Sequence, residues 1–233
     1  MRPSPSSGSP MSNSSFTAHA NYAEGPPRQV PGFASLHRMT AMLLAEQTPA
    51  DGRVLVLGAG GGLELKALAE AQPGWRFDGV DPSAEMLRLA TATVGPLAAR
   101  VELHEGYIDA APEGPFDAAV SLLTFHFIAR EQRLPTLQQL RRRLRPGAPL
   151  VLAHISFPQT EPERSQWIAR HVAFGQPDGT DPARLESAQQ AIATRLTILA
   201  PEDEEAMLRE AGFNGVSLFY AGLSFRGWVA YAA

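Results

Sequence analysis

Nine residues, Val54 to Gly62 (VLVLGAGGG), constrain the chain most: an apolar strand runs directly into a glycine-packed turn. LELKALAEA follows with helical spacing. Gly58, Gly60 and Gly62, with Ala59 between them, remove side chains where the backbone must bend sharply and where a ligand must touch it. A helix starting there aims free N–H groups and a partial positive charge at the occupant of the turn. A turn of this kind also occurs without a ligand, so the next strand matters.

Trp75 to Val80 reads as a short apolar strand ending at Asp81, a separation from Gly58 that suits a second parallel strand delivering a carboxylate to a ribose. Such a carboxylate can accept from both vicinal hydroxyls. Asp81, Pro82 and Ser83 then open a helix with Met86 and Leu87 near its start, so a plain helix cap is the competing explanation for Asp81. The glycine pattern is G-x-G-x-G; Leu63 stands where a dinucleotide fingerprint needs its third glycine. That spacing points away from NAD and towards S-adenosylmethionine.

Further strands are expected near Arg53–Leu57, Arg76–Val80, Val101–His104, Phe116–Ser121 and Leu150–His154, alternating with helices. Alternation predicts an α/β fold: a Rossmann-like, doubly wound, mostly parallel sheet. A helix is expected over Leu134 to Leu144, stopped by Pro146-Gly147. Arg141, Arg142, Arg143 and Arg145 near its end suit a helix C-terminus better than a nucleic-acid surface. Another is expected beyond Gly32 through Leu36, Met39, Leu43 and Leu44, after a stretch kept irregular by Pro26, Pro27 and Pro31. Residues 156–212 read as largely helical, with Pro201 opening a helix whose acids face its dipole. Two strand-like runs close the chain, separated by Leu223 and Ser224.

Cysteine is absent, which excludes disulfides, thiolate metal sites and cysteine nucleophiles; no metal site is expected. Net charge is −4, no apolar run approaches a membrane span, and the first residues lack the apolar core of a signal peptide. The reading is a cytoplasmic protein with a disordered tail over 1–15 and one domain over 16–233, including a helical insertion at about 156–212. Neither nucleic acid nor membrane is expected as a partner. The expected partners are a small-molecule acceptor and, at most, a second copy as a homodimer.

Through VLVLGAGGG, FDGVDPSAEML and LRRRLRPGAPLVLAHIS, in that order, the chain resembles the class I S-adenosylmethionine-dependent methyltransferases. The resemblance implies a seven-stranded sheet with a C-terminal antiparallel hairpin and S-adenosyl-L-methionine as cofactor. It places the methionine end at the glycine turn, ribose at Asp81, adenine near Gly106, Tyr107 and Ile108, and the sulfonium beside Ser121 and Leu122. Two departures stand out: Val56 replaces the family's usual acid two residues before the first glycine, and Tyr107 stands where a carboxylate is usual. Glu64, in the first helical turn, is a substitute acid.

His126 and then His154 are the candidate bases, because neutral imidazole has a suitable pKa; an aromatic-packed structural role is the alternative. PRQVPGFASL, SLLTFHFIAREQR and the closing AGFNGVSLFYAGLSFRGWVAY look like carboxy-S-adenosylmethionine synthase and its small relatives. That likeness makes Arg28, Pro31, Gly32 and Phe33 candidate cofactor contacts. In the synthase an arginine grips the extra carboxylate in a segment aligned near 188–193; here Gln189 and Gln190 stand there, with Arg184 and Arg195 nearby. Methyl transfer to a small molecule therefore ranks above carboxy-cofactor synthesis, a nicotinamide-dependent oxidoreductase and a non-catalytic binding protein.

Overall fold

The computed structural model describes residues 24–233. The tail expected over 1–15 lies outside the described residues. Short helix α1 (Gly25–Gln29) and α2 (Phe33–Ala45) precede strand β1 (Arg53–Leu57). Then come α3 (Leu63–Ala71), β2 (Arg76–Asp81), α4 (Ala84–Val94), β3 (Val101–Glu105), β4 (Ala118–Leu122), α5 (Arg130–Arg143) and β5 (Pro149–Ile155). Helices α6 (Glu163–Gly175), α7 (Pro182–Arg195) and α8 (Pro201–Glu210) lead to β6 (Phe213–Gly222) and β7 (Phe225–Ala232).

The seven strands form one sheet in the order β3-β2-β1-β4-β5-β7-β6. The first five are parallel; β7 pairs antiparallel with β5 and with β6. Alternate residues feed two cores, one on each face. Val54, Val56, Val120, Val151 and Ala153 meet Leu36, Leu44, Leu65 and Leu68. Leu55, Leu57, Ala119, Leu150 and Leu152 meet Leu137, Leu140, Leu208 and Trp228. Period-two burial on both faces is what a doubly wound sheet requires. The chain reverses direction across the sheet between β1 and β4, and the crevice at their carboxyl ends is where such sheets place ligands.

One expectation fails. The stretch around Pro26 and Pro27 is helical, because both prolines sit in the first turn of α1, where their missing N–H groups would have had no helical acceptor. The hairpin turn falls at Leu223 and Ser224 as expected, with Leu223 at φ 54°. The arginine cluster is consumed internally. Arg141 donates to the Gly212 carbonyl, Arg142 pairs with Glu113, buried Arg143 donates to Pro112 and Ala111, and Arg145 pairs with Asp117.

A buried ionic cluster pins the helical stretch to the sheet. Arg133 of α5, fully buried, donates to the Glu204 carboxylate and to the Thr197 and Ile128 carbonyls. The other Glu204 oxygen lies 3.6 Å from Nε2 of buried His154. Proximity to His154 and Arg133 holds the Glu204 pKa below its ordinary value, although burial opposes this. Removing one partner strands the other charge away from water. Glu204→Ala should therefore cost about 3–5 kcal/mol of unfolding free energy. Arg142→Ala, at an exposed pair, should cost about 1 kcal/mol or less. Denaturant titrations of the two variants measure the contrast; equal losses would contradict it.

Candidate functional site

The carboxyl ends of the strands form a continuous hydrogen-bonded rim. Gly106 N–H donates to the Asp81 carbonyl at 3.1 Å, joining the ends of β3 and β2. Gly58 and Ala59 donate to the Val80 carbonyl at 2.8 and 3.0 Å, joining β1 to β2. Leu123 donates to the Ala153 carbonyl at 2.6 Å, joining β4 to β5. Ile155 N–H reaches Nδ1 of His126 at 3.5 Å, and Thr197 N–H donates to the His126 carbonyl at 2.9 Å.

The glycine turn is built for close approach. Gly58, Gly60 and Gly62 have φ of 80°, 47° and 83°, a region that L side chains rarely enter. A Cβ on Gly62 would lie 2.8 Å from the Ala90 Cα, so this glycine lets α4 pack against the start of α3. A Cβ on Gly58 would collide with the Thr124 side chain. Thr124 thus caps the turn from the β4 side, a contact between residues far apart in the chain that local spacing cannot signal.

Asp81 ties the turn to the next helix. Its Oδ2 accepts from Gly60 N–H and its Oδ1 from Ser83 N–H, both at 2.9 Å. The helix cap itself is Ser83, whose Oγ accepts from Met86 N–H at 3.3 Å. Burial raises the Asp81 pKa, and the two backbone donors oppose this. A carboxylate has about four acceptor positions, so lone pairs remain on both oxygens after these two bonds.

Beyond the third strand, Tyr107 is 59% exposed while Ile108 is buried. Ser121 is committed elsewhere: fully buried, it donates to the Leu57 carbonyl at 2.7 Å and clamps β4 to β1. Leu122 is buried, and Leu123 adopts φ 59°. A branched apolar residue in that region stores strain, and it does so here at the mouth of the β1–β4 crevice.

His126 and His154 lie close together, with ring centroids 6.4 Å apart. His154 is enclosed by Phe125, Trp228 and Glu204, and its Nδ1 faces the Ile155 carbonyl at 3.1 Å. His126 sits at the rim on a 3₁₀ turn, and burial first, then His154, Arg133 and His171, holds its pKa well below 6.5. It is a neutral imidazole near pH 7. Glu204, which the sequence suggests only as a dipole-facing acid, instead turns inward, and no local pattern distinguishes it from Glu202 and Asp203.

Arg28 does not reach the rim: it is exposed and pairs with Glu24 at 2.5 Å. The following Pro31 carbonyl accepts from Tyr220 Oη at 2.5 Å, which fixes Pro31 and Gly32 to β6. Phe33 packs on the α2-side core. Val56 is wholly buried in that same core.

Asp78, Glu102 and His104 form the one group of potential metal ligands among the described residues. Arg53 occupies both Asp78 oxygens, at 2.7 and 2.9 Å, and the His104 ring lies 2.9 Å from one of them. A guanidinium already neutralises that carboxylate, so the group is a structural ion pair.

The family described as "Methyltransferase domain" matches residues 54–147. A carboxy-S-adenosyl-L-methionine synthase from Chromohalobacter salexigens is 28% identical over 211 residues, covering 88% of this chain and 77% of the relative. Among solved structures, a SAM-dependent methyltransferase from Aquifex aeolicus superposes with a TM-score of 0.60 at 17% identity, over 89% of this chain and 93% of that one. Human N-acetylserotonin methyltransferase, solved with SAM, gives 0.57 at 16% identity, over 91% of this chain. The chain spans only 58% of that human protein. The domain match, these relatives and the sheet order support a class I S-adenosyl-L-methionine-dependent methyltransferase, with S-adenosyl-L-methionine as cofactor.

Proposed function

We propose that the protein transfers a methyl group from S-adenosyl-L-methionine to a small-molecule acceptor. The observation that carries this reading is the Asp81 carboxylate, held by Gly60 and Ser83 N–H groups at the β1–β4 crevice with lone pairs to spare. Those lone pairs suit the two ribose hydroxyls. Tyr107 offers an exposed aromatic face, and Ile108 an apolar floor, for adenine. Gly58, Ala59, Gly60 and Gly62 present backbone to the methionyl part, and Met86, Pro82 and Gly106 complete the wall. Leu122 is left to border the sulfonium, since Ser121 is spent on Leu57.

When bound, the cofactor supplies an electrophilic methyl group on a sulfonium. The chain then has to orient the acceptor and, for O–H or N–H nucleophiles, remove a proton. His126 is the candidate for proton removal, because its imidazole is neutral at pH 7 and, though buried, it lies on the turn directly after β4, with His154 deeper behind it. In this reading helices α6 and α7, with the Pro31–Gly32 turn pinned by Tyr220, are the elements assigned to the acceptor side. Carboxy-cofactor synthesis is the second reading, favoured by the names of the curated relatives. Against it, half-buried Gln189 occupies the segment where the synthase is expected to carry an arginine, and Arg184 and Arg195 are exposed. A neutral amide holds a carboxylate less well than a guanidinium does.

Native mass spectrometry of the purified protein, with release of any bound nucleoside, separates these readings. S-adenosylmethionine or S-adenosylhomocysteine supports methyl transfer, and a carboxylated S-adenosyl species overturns it. Asp81→Ala should weaken S-adenosylhomocysteine about 100-fold, the equivalent of about two hydrogen bonds to a charged group, with the circular dichroism spectrum retained. Unchanged affinity would reject the ribose assignment. Acid should also report on His126. Below about 6.5 the unfolded chain protonates this imidazole while the folded chain does not, so its contribution to stability is complete above that pH and is lost as pH falls. As pH falls below 6.5, His126→Asn should flatten the pH dependence of unfolding free energy by up to about 1.4 kcal/mol per unit. An unaltered slope would show that His126 is already protonated in the folded protein.

A further inference from the structure

Glu64 is a buried carboxyl with an unmet oxygen. It is the second residue of α3, two positions after Gly62, and is almost completely excluded from solvent. Its Oε1 has no hydrogen-bond partner, and no lysine, arginine or histidine among the described residues is within ion-pair distance. Burial pushes its pKa well above the ordinary carboxylate range, opposed by the backbone N–H of Leu122 at the carboxyl end of β4. An acid in a first helical turn is usually explained by the dipole acting on a solvated carboxylate. Solvent is excluded here, and the dipole leaves one oxygen without a partner. Buried polar atoms of this kind are costly, and a ligand group that satisfies one recovers that cost.

The position of Glu64 selects the ligand group. Along the rim the order is β3, β2, β1, β4. If Asp81, at the end of β2, holds ribose and Tyr107, after β3, faces adenine, the 5′ substituent runs the other way, across the glycine turn towards β4. Glu64, beside Leu122 and directly under that turn, is the carboxyl the 5′ substituent meets. The corresponding position on β1 cannot serve, because Val56 is packed into the core. Resting on the cofactor reading above, we propose that Glu64 binds the α-ammonium of the methionyl moiety and ionises as it does so. The acid missing from position 56 is thereby supplied from the helix side of the same turn.

The test compares two nucleosides that differ in that moiety. S-adenosylhomocysteine carries the amino-acid group; 5′-methylthioadenosine lacks it. Both are titrated calorimetrically into wild type and Glu64→Gln, at pH 7, in two buffers of different ionisation enthalpy. The isosteric amide should weaken S-adenosylhomocysteine about ten- to hundredfold and leave 5′-methylthioadenosine unchanged. Wild type should release protons on binding S-adenosylhomocysteine, and the variant should not. Equal effects on both nucleosides, or on neither, would overturn the assignment and leave Glu64 a structural acid. Should the variant fold poorly, wild type alone still decides: a deaminated S-adenosylhomocysteine should bind about ten- to hundredfold more weakly than the parent and release no proton. Equal affinity of wild type for the parent and deaminated ligands overturns the proposal. If wild type binds neither nucleoside, the cofactor reading fails and takes this inference with it.

Discussion

The Asp81 carboxylate is the point on which the site depends. It stands at the end of β2 and accepts one N–H from the glycine turn after β1 and another from the start of α4. Two segments that meet only in the folded state, the glycine turn and the β2–α4 junction, therefore share one charged group. Charge-assisted bonds to backbone donors are short and directional, so the turn is held in its binding shape without side chains crowding the crevice. Gly62 contributes a complementary constraint, since only a missing Cβ lets the Ala90 turn of α4 pack against the start of α3. Preorganisation of this kind lowers the ordering cost of binding.

The opposite end of the crevice relies on a different economy. Arg133, Glu204 and His154 form a buried polar island that ties α5, α8 and β5 together with the segment carrying Thr197. Such an island adds little net stability compared with apolar packing, but it admits few alternative arrangements. It fixes His126 from behind, through the rings of its neighbours and the Thr197 N–H. The helical excursion is thereby anchored at the edge of the rim.

Much of this is legible in the residues. Strands β1, β2, β3 and β5 fall within about two residues of where apolar runs and turn signals put them, because each is bounded by glycine, proline or a charged residue. The hairpin at Leu223-Ser224 and the proline-led start of α8 are equally local. Residue identities also mark the glycine turn and Asp81, since backbone conformation and short-range helix chemistry dictate both. The rest depends on distance in sequence. Thr124 over Gly58, Arg53 against Asp78, and Glu204 turning inward are pairings across the sheet, and no short window carries them. Helix α1 escapes a sequence reading because proline looks like a breaker until its place within the helix is known.

The Tyr220 hydroxyl and the Pro31 carbonyl are separated by 189 positions, yet they bond at 2.5 Å. Strand β5 likewise has no partner on one side until β7, the last strand of the sheet in sequence, slots between it and β6. During synthesis the parallel half can assemble early, but the bond that ties the turn before α2 to β6 cannot form until the final hairpin emerges. Until then β5 presents an unpaired edge of apolar residues, the kind of surface on which nascent chains stick to one another. The ribosome must therefore deliver that hairpin before the turn ahead of α2 gains its tie to the sheet edge.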